Sequence, residues 1–294
     1  MIFLLAVFGI ILSIVSPAIG LLLVVSFANE IKGETVSRID LFYSTWVVMS
    51  AILYYLKIID LTILLSITIN VGLLSYICIQ MLKREFSLAT IFSTAFGITG
   101  LSSVLKYAFF RDKIVELTDE SIKTIMPLLE AKFAPGTEEY QTIVSTINAS
   151  KEMFLKYNYS FTVFMLLVSL WIAVVLLNKK QVRPYLLSRY SNNNSLIAVV
   201  IISLGLIIYD KSQIVGINIL IPCIALYFLQ GLSIVGFFFG KLLINSKMLL
   251  IIGILTLLIN PYLIILLAFI GLIDNWADLR KLNKMEKTHE NNTY

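Results

Sequence analysis

The sequence predicts an all-α fold, a polytopic transmembrane helix bundle of about 8 to 10 membrane helices. Of the 294 residues, 59% are hydrophobic and only 14% are charged, whereas about a quarter of the residues in soluble proteins are charged. The mean hydropathy is +0.90. The apolar residues occur in long runs, and in lipid only helices satisfy every backbone polar group over such lengths.

The apolar runs follow one another with short polar segments between them. They cover roughly residues 2–28, 41–56, 61–82, 87–110, 159–178, 195–209, 213–240 and 248–273. The first and the last are too long for one upright crossing, and each contains a central helix breaker, Ser16-Pro17 and Asn260-Pro261. Because proline disfavours helix in the residue before it, each run is expected to be a hairpin of two short helices or a single kinked span.

We expect one membrane domain with four consecutive parts. These are N-terminal membrane helices at 1–110, an extracytoplasmic helical insertion at 111–158, C-terminal membrane helices at 159–284 and a flexible tail at 285–294. The parts differ mainly in polarity, since the insertion is the one sizeable polar region before the tail.

The insertion contains apolar residues at helical spacing on both sides of Ala134-Pro135-Gly136, which predicts two amphipathic helices. Thr137 followed by Glu138 and Glu139 is typical of a helix start, with a capping hydroxyl and acids in the first turn. The two helices are expected to lie on the outer membrane interface or to cap the bundle. A lid over a substrate site is the alternative.

The orientation follows from the basic loop NKKQVRPYLLSRY, which contains Lys179, Lys180, Arg183 and Arg189 and no acid. The positive-inside rule places the loop at 179–194 on the cytoplasmic side, together with the C-terminal tail, and the insertion outside. The net charge of +5 is spread over short loops. This pattern fits a lipid bilayer as the partner and does not favour nucleic acid.

Few residues are suited to catalysis. The sole histidine, His289, is in the tail, and no metalloprotease, hydrolase or nucleotide-binding motif occurs. The sequence therefore predicts no enzyme activity, no cofactor and no metal site. Lys106 is the charge that lies well inside an apolar run, and we expect its stem to reach the outer interface, so that it does not mark a proton path.

Uncharged polar residues within the runs are more informative. They allow two interpretations, hydrogen bonds between helices or a pocket for a small polar or amphipathic ligand. The candidate pocket residues are Asn70, Asn218, Tyr227 and Gln230.

The closing stretch GLIDNWADLRKL, residues 271–282, follows some two dozen residues without charge. If the stretch continues as a helix, Asp274 and Asp278 lie on one face and repel each other. We therefore expect a cationic partner for them, Lys180 or Arg183 of the basic loop. The same helix would bring Trp276 close enough to Arg280 for a stacked cation and ring. We interpret the stretch as an interfacial anchor.

This stretch and YFLQGLSIVGFFFGKLL, residues 227–243, together resemble the YybS-like family of predicted bacterial inner-membrane proteins, a domain of unknown function. That family similarly has an aromatic residue before a Gly-Leu pair in a late span and a closing Gly-Leu-x-Asp, aromatic, Asp-x-Arg-Lys pattern. The matching positions, a candidate docking or structural motif, include Gly231, Gly271, Asp274, Trp276, Asp278, Arg280 and Lys281.

The resemblance implies a location in the bacterial cytoplasmic membrane. It also implies an organisation similar to the S-components of energy-coupling-factor transporters, which bind a small molecule and dock on an ATPase-driven coupling module. The first hypothesis is therefore an S-component-like substrate-binding subunit. The second is a non-catalytic scaffold or assembly subunit of a bacterial envelope complex.

Overall fold

The computed structural model describes residues 2–27, 36–178, 187–245 and 260–281, and every regular element in these ranges is helical. The predicted all-α class is therefore confirmed for this part of the chain. The elements are α1 (Ile2–Val15), α2 (Pro17–Ser26), α3 (Val36–Tyr55), α4 (Leu61–Leu65), a π-helix (Ser66–Leu73), α5 (Leu74–Lys83), α6 (Leu88–Glu130), α7 (Glu138–Asn178), a 3-10 turn (Leu187–Arg189), α8 (Ser195–Ile208), α9 (Gln213–Asn245) and α10 (Pro261–Ala277).

Within the described ranges, four helical segments are long and apolar enough to cross a membrane: Leu61–Lys83, Leu88–Glu130, Glu138–Leu177 and Gln213–Phe239. Shorter apolar helices of 10–17 residues accompany them. The molecule is thus built as the composition requires, with apolar helices as its main elements. The predicted number of about 8 to 10 spans stays a prediction.

The first apolar run is a hairpin of two short helices. A Cβ added to Gly9 would lie 3.3 Å from Cγ2 of Val24, and one added to Gly20 would overlap the side chain of Ser13. In one continuous helix, residues 9 and 24 would be about 22 Å apart. The chain reverses at Ser16, whose backbone is extended (φ −156°, ψ 117°) before Pro17 starts α2.

The last described helix begins at the predicted helix breaker, Asn260-Pro261. Helix α10 begins at Pro261, and the side-chain oxygen of Asn260 caps it by accepting a hydrogen bond from the Tyr262 amide at 3.1 Å. Residues 246–259 and the predicted flexible tail at 285–294 lie outside the described residues. The choice between a hairpin and a kinked span therefore stays open here.

The predicted insertion is helical, but its helices are not separate elements. Helix α6 continues without a break from Leu88 to Glu130 and α7 from Glu138 to Asn178, so the expected boundaries at 110 and 158 lie inside helices. No proline or glycine occurs near either boundary to end a helix. The turn between the helices contains Gly136 at φ 98°, and the predicted cap at Thr137 is confirmed by its bond from the Tyr140 amide at 3.3 Å.

The extended parts of α6 and α7 form a helical hairpin, which we call the hairpin extension (residues 111–158). An ion pair between Lys151 and Asp119 joins its two helices, and the Tyr140 hydroxyl lies 3.3 Å from Glu130 Oε1. At 1.5 Å per residue, the 20 residues from 111 to 130 extend about 30 Å. Whether the hairpin extension lies on the membrane interface or caps the bundle stays a prediction.

The indole of Trp46 is at the centre of the N-terminal half of the core. Its side chain is 1% exposed and lies between α1 and the π-helix, where Gly9 and Gly72 leave space for the ring. The small residues of α1 therefore pack within the chain. The indole Nε1 also donates to the carbonyl oxygen of Ile67 at 3.3 Å, which satisfies an acceptor in the irregular π-helical turn.

Candidate functional site

The four candidate pocket residues lie in three separate places. Asn70 is 1% exposed in the π-helix, and its Oδ1 has no hydrogen-bond partner among the described residues. Asn218 joins α9 to α7, because its Nδ2 donates to the carbonyl oxygen of Lys156 at 2.8 Å. Tyr227 and Gln230 lie together on α9, against α10. The structure therefore does not bring the four residues into one pocket.

Gln230 is the centre of a buried polar network. Its Oε1 accepts hydrogen bonds from the backbone amide of Asn192 at 3.0 Å and from the Asn192 side chain at 2.9 Å. Its Nε2 donates to Asp274 Oδ2 at 3.1 Å and to Asn275 Oδ1 at 2.8 Å. Asn275 in turn donates to the Tyr227 hydroxyl at 3.4 Å. One side chain thus connects the segment before α8 to both α9 and α10.

Asp274 and Arg280 complete this network with a buried ion pair. Arg280 Nη2 donates to Asp274 Oδ2 at 2.5 Å, while Nη1 donates to the Ser188 carbonyl oxygen and to Ser233 Oγ, both at 2.7 Å. Burying a charge is costly unless it is paired and hydrogen-bonded, and this guanidinium is both. The closing motif therefore connects the C-terminal end of α10 to the segment at 187–194.

The partner of Asp274 differs from the expectation. The predicted cations, Lys180 and Arg183, lie outside the described residues, and the observed partner is Arg280, six positions along the same segment. The reason is the end of α10 at Ala277, after which Asp278 adopts a left-handed conformation (φ 41°, ψ 53°). The chain therefore turns back before it reaches Arg280.

The same turn corrects the expected stack of Trp276 on Arg280. The stack required a helix through residue 280, but Arg280 turns inward and is 1% exposed, while Trp276 is 66% exposed. Lys281 is exposed just beyond the turn, and its amide donates to the Asp278 carbonyl oxygen at 2.8 Å. The exposed tryptophan remains consistent with the predicted interfacial anchor.

The two motif glycines allow α9 and α10 to cross at very short range. A Cβ on Gly231 would overlap the carbonyl oxygen of Leu267, and one on Gly271 would overlap the carbonyl oxygen of Tyr227. Small residues permit such a backbone approach between apolar helices. The close crossing brings Gln230 within hydrogen-bond distance of Asp274, so the polar network depends on the two glycines.

The segment at 187–194 is held in the bundle by Tyr190. Its ring packs 5.3 Å from Phe92 and 5.2 Å from Trp171, between centroids, and its hydroxyl donates to Asn192 Oδ1 at 2.5 Å. Burial raises the pKa of the Tyr190 phenol, so the hydroxyl remains protonated as a donor. These contacts hold the segment at 187–194 against α6 and α7, beside the Arg280 network.

A cleft of about 620 Å³ lies elsewhere, around Lys106. The Nζ of Lys106 donates to Ser66 Oγ, at the first residue of the π-helix. The reversal of the N-terminal hairpin at Ser16 and Pro17 forms part of the wall. The other polar lining residues include Ser13, Thr62, Ser103, Asn158, Tyr159 and Thr162.

The amino group of Lys106 thus binds Ser66 of a neighbouring helix at the cleft, and the expectation that its stem reaches the outer interface stays a prediction. Lys106 lies 18 residues after the start of α6, about 27 Å along the helix axis. The aromatic contacts of Tyr190 involve Phe92, only four residues after that start. The cleft and the Arg280 network therefore lie at opposite ends of the bundle.

Sequence reasoning missed this cleft, although a signal was present. Ser103, Lys106, Phe110 and Ile114 are spaced by three, four and four residues, so they share one face of α6. The run Phe154, Asn158, Phe161 and Met165 has the same kind of spacing on α7. Neither pattern predicts that the two helix faces lie against one cleft, because that depends on how α6 and α7 are rotated about their axes.

Comparison with known proteins provides a family but no functional precedent. Neither a curated protein nor a solved structure matches the chain. A family model described as a predicted membrane protein (DUF2232) matches residues 1–275, which include the cleft and Asp274. Because the match covers nearly the whole chain, this protein belongs to that family of predicted membrane proteins, DUF2232.

Proposed function

We propose that this protein is the substrate-binding subunit of a small-molecule transporter in the bacterial cytoplasmic membrane, organised like an S-component. The observation that carries the proposal is the Lys106 cleft. Its volume of about 620 Å³ lies in the range of small-molecule sites, which are mostly apolar with a few convergent polar groups. The resemblance of the closing motif to the YybS-like family supports the same assignment.

The chain geometry at the cleft also supports a binding role. The helix break at Ser16 and Pro17 lines the cleft. Within a membrane, irregular backbone is tolerated only where it faces a cavity or is buried in protein. Transporters place discontinuous helices at their substrate sites for this reason. The π-helix beginning at Ser66 adds a second irregular segment, of the kind often found at functional sites.

Docking on a coupling module requires a surface outside the polar network. Arg280 and Asp274 are committed to internal contacts, so we assign docking to small-residue helix faces instead. A Cβ added to Gly97, Gly100 or Gly236 would meet nothing within 4 Å, which leaves these backbones open to a neighbouring helix.

The proposal is tested by filling the cleft. Ser103→Phe introduces a ring into the lining, whereas Gly205→Ala lies on α8, where an added Cβ meets nothing within 4 Å. Small molecules that copurify with the protein are identified by mass spectrometry for wild type and both variants. We expect a molecule retained by wild type and Gly205→Ala and lost from Ser103→Phe. Equal retention in Ser103→Phe would place binding elsewhere.

Partner identity is tested by crosslinking in cells followed by mass spectrometry. Recovery of an ATPase and its transmembrane coupling subunit is the expected result. Photo-crosslinkers placed beside Gly97 and Gly236 would then capture the coupling subunit, whereas crosslinkers on the hairpin extension would not.

The hairpin extension favours one alternative, a scaffold or assembly subunit of an envelope complex. Its surface has apolar side chains with no covering element in the described structure: Leu128 is 66% exposed, Met153 58% and Ile125 49%. Exposed apolar groups of this kind mark protein or membrane contacts. In the crosslinking experiment, this alternative predicts capture of an envelope protein from position 128.

A further inference from the structure

We propose that the ligand of the Lys106 cleft is an amphipathic anion, with its carboxylate or phosphate head at Lys106 and its hydrocarbon chain along the apolar wall. The inference rests on the proposed binding function and names the class of molecule that the cleft accepts.

The charge of the lining carries the first step. Lys106 is the one charged side chain that lines the cleft within the described part of the chain, and no Asp or Glu lines it. The ion pairs of the described residues all involve other cations. A cation partly removed from water is costly without an opposite charge, and the observed partner of the partly buried Lys106 is the neutral hydroxyl of Ser66. A negatively charged head therefore complements this site.

Unused hydrogen-bond donors provide the second step. A lysine ammonium has three donors, and one of those of Lys106 is used by Ser66. Tyr159 also lines the cleft, and its hydroxyl is buried without a hydrogen-bond partner among the described residues. The Tyr159 hydroxyl is thus a second donor at the cleft that no side chain of the described residues uses. An anionic oxygen would accept from both groups.

The apolar wall provides the third step. Phe110, Met153, Phe154, Phe161 and Met165 line the cleft beside the polar groups. Phe161 is 51% and Met165 52% exposed, so the wall is open along one side. Methionine is adaptable in shape, and the affinity of such a surface rises with each methylene buried. A chain longer than the head group alone is therefore required for tight binding.

A multiply charged head fits less well. Dianionic phosphates are usually held by arginine forks or by several donors, whereas a single lysine acts as a point charge. The inference is therefore limited to amphiphiles whose head carries a single negative charge. Two sources share this chemistry, a membrane lipid and a soluble amphiphile such as a fatty acid.

Binding is measured by native mass spectrometry on the full-length protein in dodecyl maltoside. The probes are dodecanoate, the singly charged phosphodiester methyl dodecyl phosphate, dodecanol, dodecyltrimethylammonium and inorganic phosphate. We expect the two anionic amphiphiles to bind about tenfold or more tightly than dodecanol, as one charge-assisted hydrogen bond implies. Inorganic phosphate is expected not to bind.

Variants then identify the head-group site. Lys106→Gln is expected to reduce dodecanoate affinity about tenfold or more, Lys106→Arg to preserve it and Tyr159→Phe to reduce it several-fold. Lys113→Gln is the matched control, since Lys113 lies two turns along α6, pairs with Glu116 and is exposed. Thermal unfolding of each variant is measured in parallel, and if Lys106→Gln does not fold, Tyr159→Phe carries the comparison.

The outcomes separate this inference from the proposed function. If dodecanol and dodecanoate bind equally and Ser103→Phe blocks both, the cleft is a binding site but the anionic head is refuted. If no amphiphile binds and no molecule copurifies, the proposed function fails as well. If wild type retains phosphatidylglycerol over phosphatidylcholine from mixed nanodiscs and Lys106→Gln does not, the ligand is a membrane lipid. If dodecanoate binds but no lipid is retained, the ligand is a soluble amphiphile.

Discussion

The guanidinium of Arg280 and the carboxylate of Asp274 form an ion pair of 2.5 Å with side chains only 0% and 4% exposed. Removing one member of such a pair leaves the other charge buried, which costs about 3–5 kcal/mol. The pair also holds Ser188 and Ser233 through the same guanidinium. The stability of the Arg280 end of the bundle is therefore expected to depend on it.

Asp274→Asn is expected to lower the free energy of unfolding by about 3 kcal/mol, because Arg280 loses its counter-charge. Unfolding is measured in mixed micelles by denaturing-detergent titration. Asp112→Asn, an exposed acid on α6, serves as the control and should change stability by less than about 0.5 kcal/mol. Combining Asp274→Asn with Arg280→Met should recover part of the loss, and a single variant as stable as wild type would contradict a structural bridge.

Gly271→Ala is expected to destabilise the protein by about 2 kcal/mol, since its Cβ would overlap the Tyr227 carbonyl oxygen. Gly236→Ala is the matched control, because a Cβ there meets nothing within 4 Å and alanine favours helix by up to about 1 kcal/mol. Thermal unfolding of the two variants checks the difference. Equal shifts would show that α9 and α10 do not cross at Gly271.

The hairpin extension is expected to project into water. A cysteine at Lys123 on a background of Cys78→Ala and Cys223→Ala should react readily with a membrane-impermeant maleimide in proteoliposomes. A cysteine at Leu101, which is 62% exposed on the apolar part of the same helix, should not react. Quenching of a label at position 123 by brominated lipids would instead indicate a helix lying on the membrane.

Trp46→Phe is expected to cost about 2 kcal/mol, because the Ile67 carbonyl oxygen loses its donor and the smaller ring leaves a cavity beside Gly9. Trp276→Phe is the control, since that side chain is 66% exposed. Denaturing-detergent titration followed by circular dichroism compares the two. If Trp46→Phe lowers the free energy of unfolding no more than Trp276→Phe does, the indole hydrogen bond does not stabilise the π-helix.

Several elements were predictable from the sequence because their causes are local. Pro17 and Pro261 each begin a helix where the apolar pattern is interrupted, and Thr137 caps α7 as its spacing to the acids predicts. Whether Ser16 makes a kink or a reversal was not predictable, since both conformations satisfy the same proline. The packing of Gly9 against Val24 decides it in favour of a hairpin.

The candidate site was predicted only in part, and particular residues show why. Gln230 was identified as a polar residue within a span, but its partners Asn192 and Asp274 are 38 and 44 positions away. The left-handed turn at Asp278 has only a weak sequence signal, because aspartate adopts this conformation more often than most residues but still rarely. Without that turn, Arg280 cannot return to Asp274.

Hydropathy, helical period and proline geometry act within a few residues, so the sequence alone predicts an apolar helical molecule in which Pro17 and Pro261 each start a helix. The contact of Lys106 with Ser66, 40 positions earlier, and the contact of Asp274 with Arg280 become visible only in the folded chain. Both contacts depend on the rotation of helices and on one chain reversal. These are set by packing over the whole bundle and not by neighbouring residues.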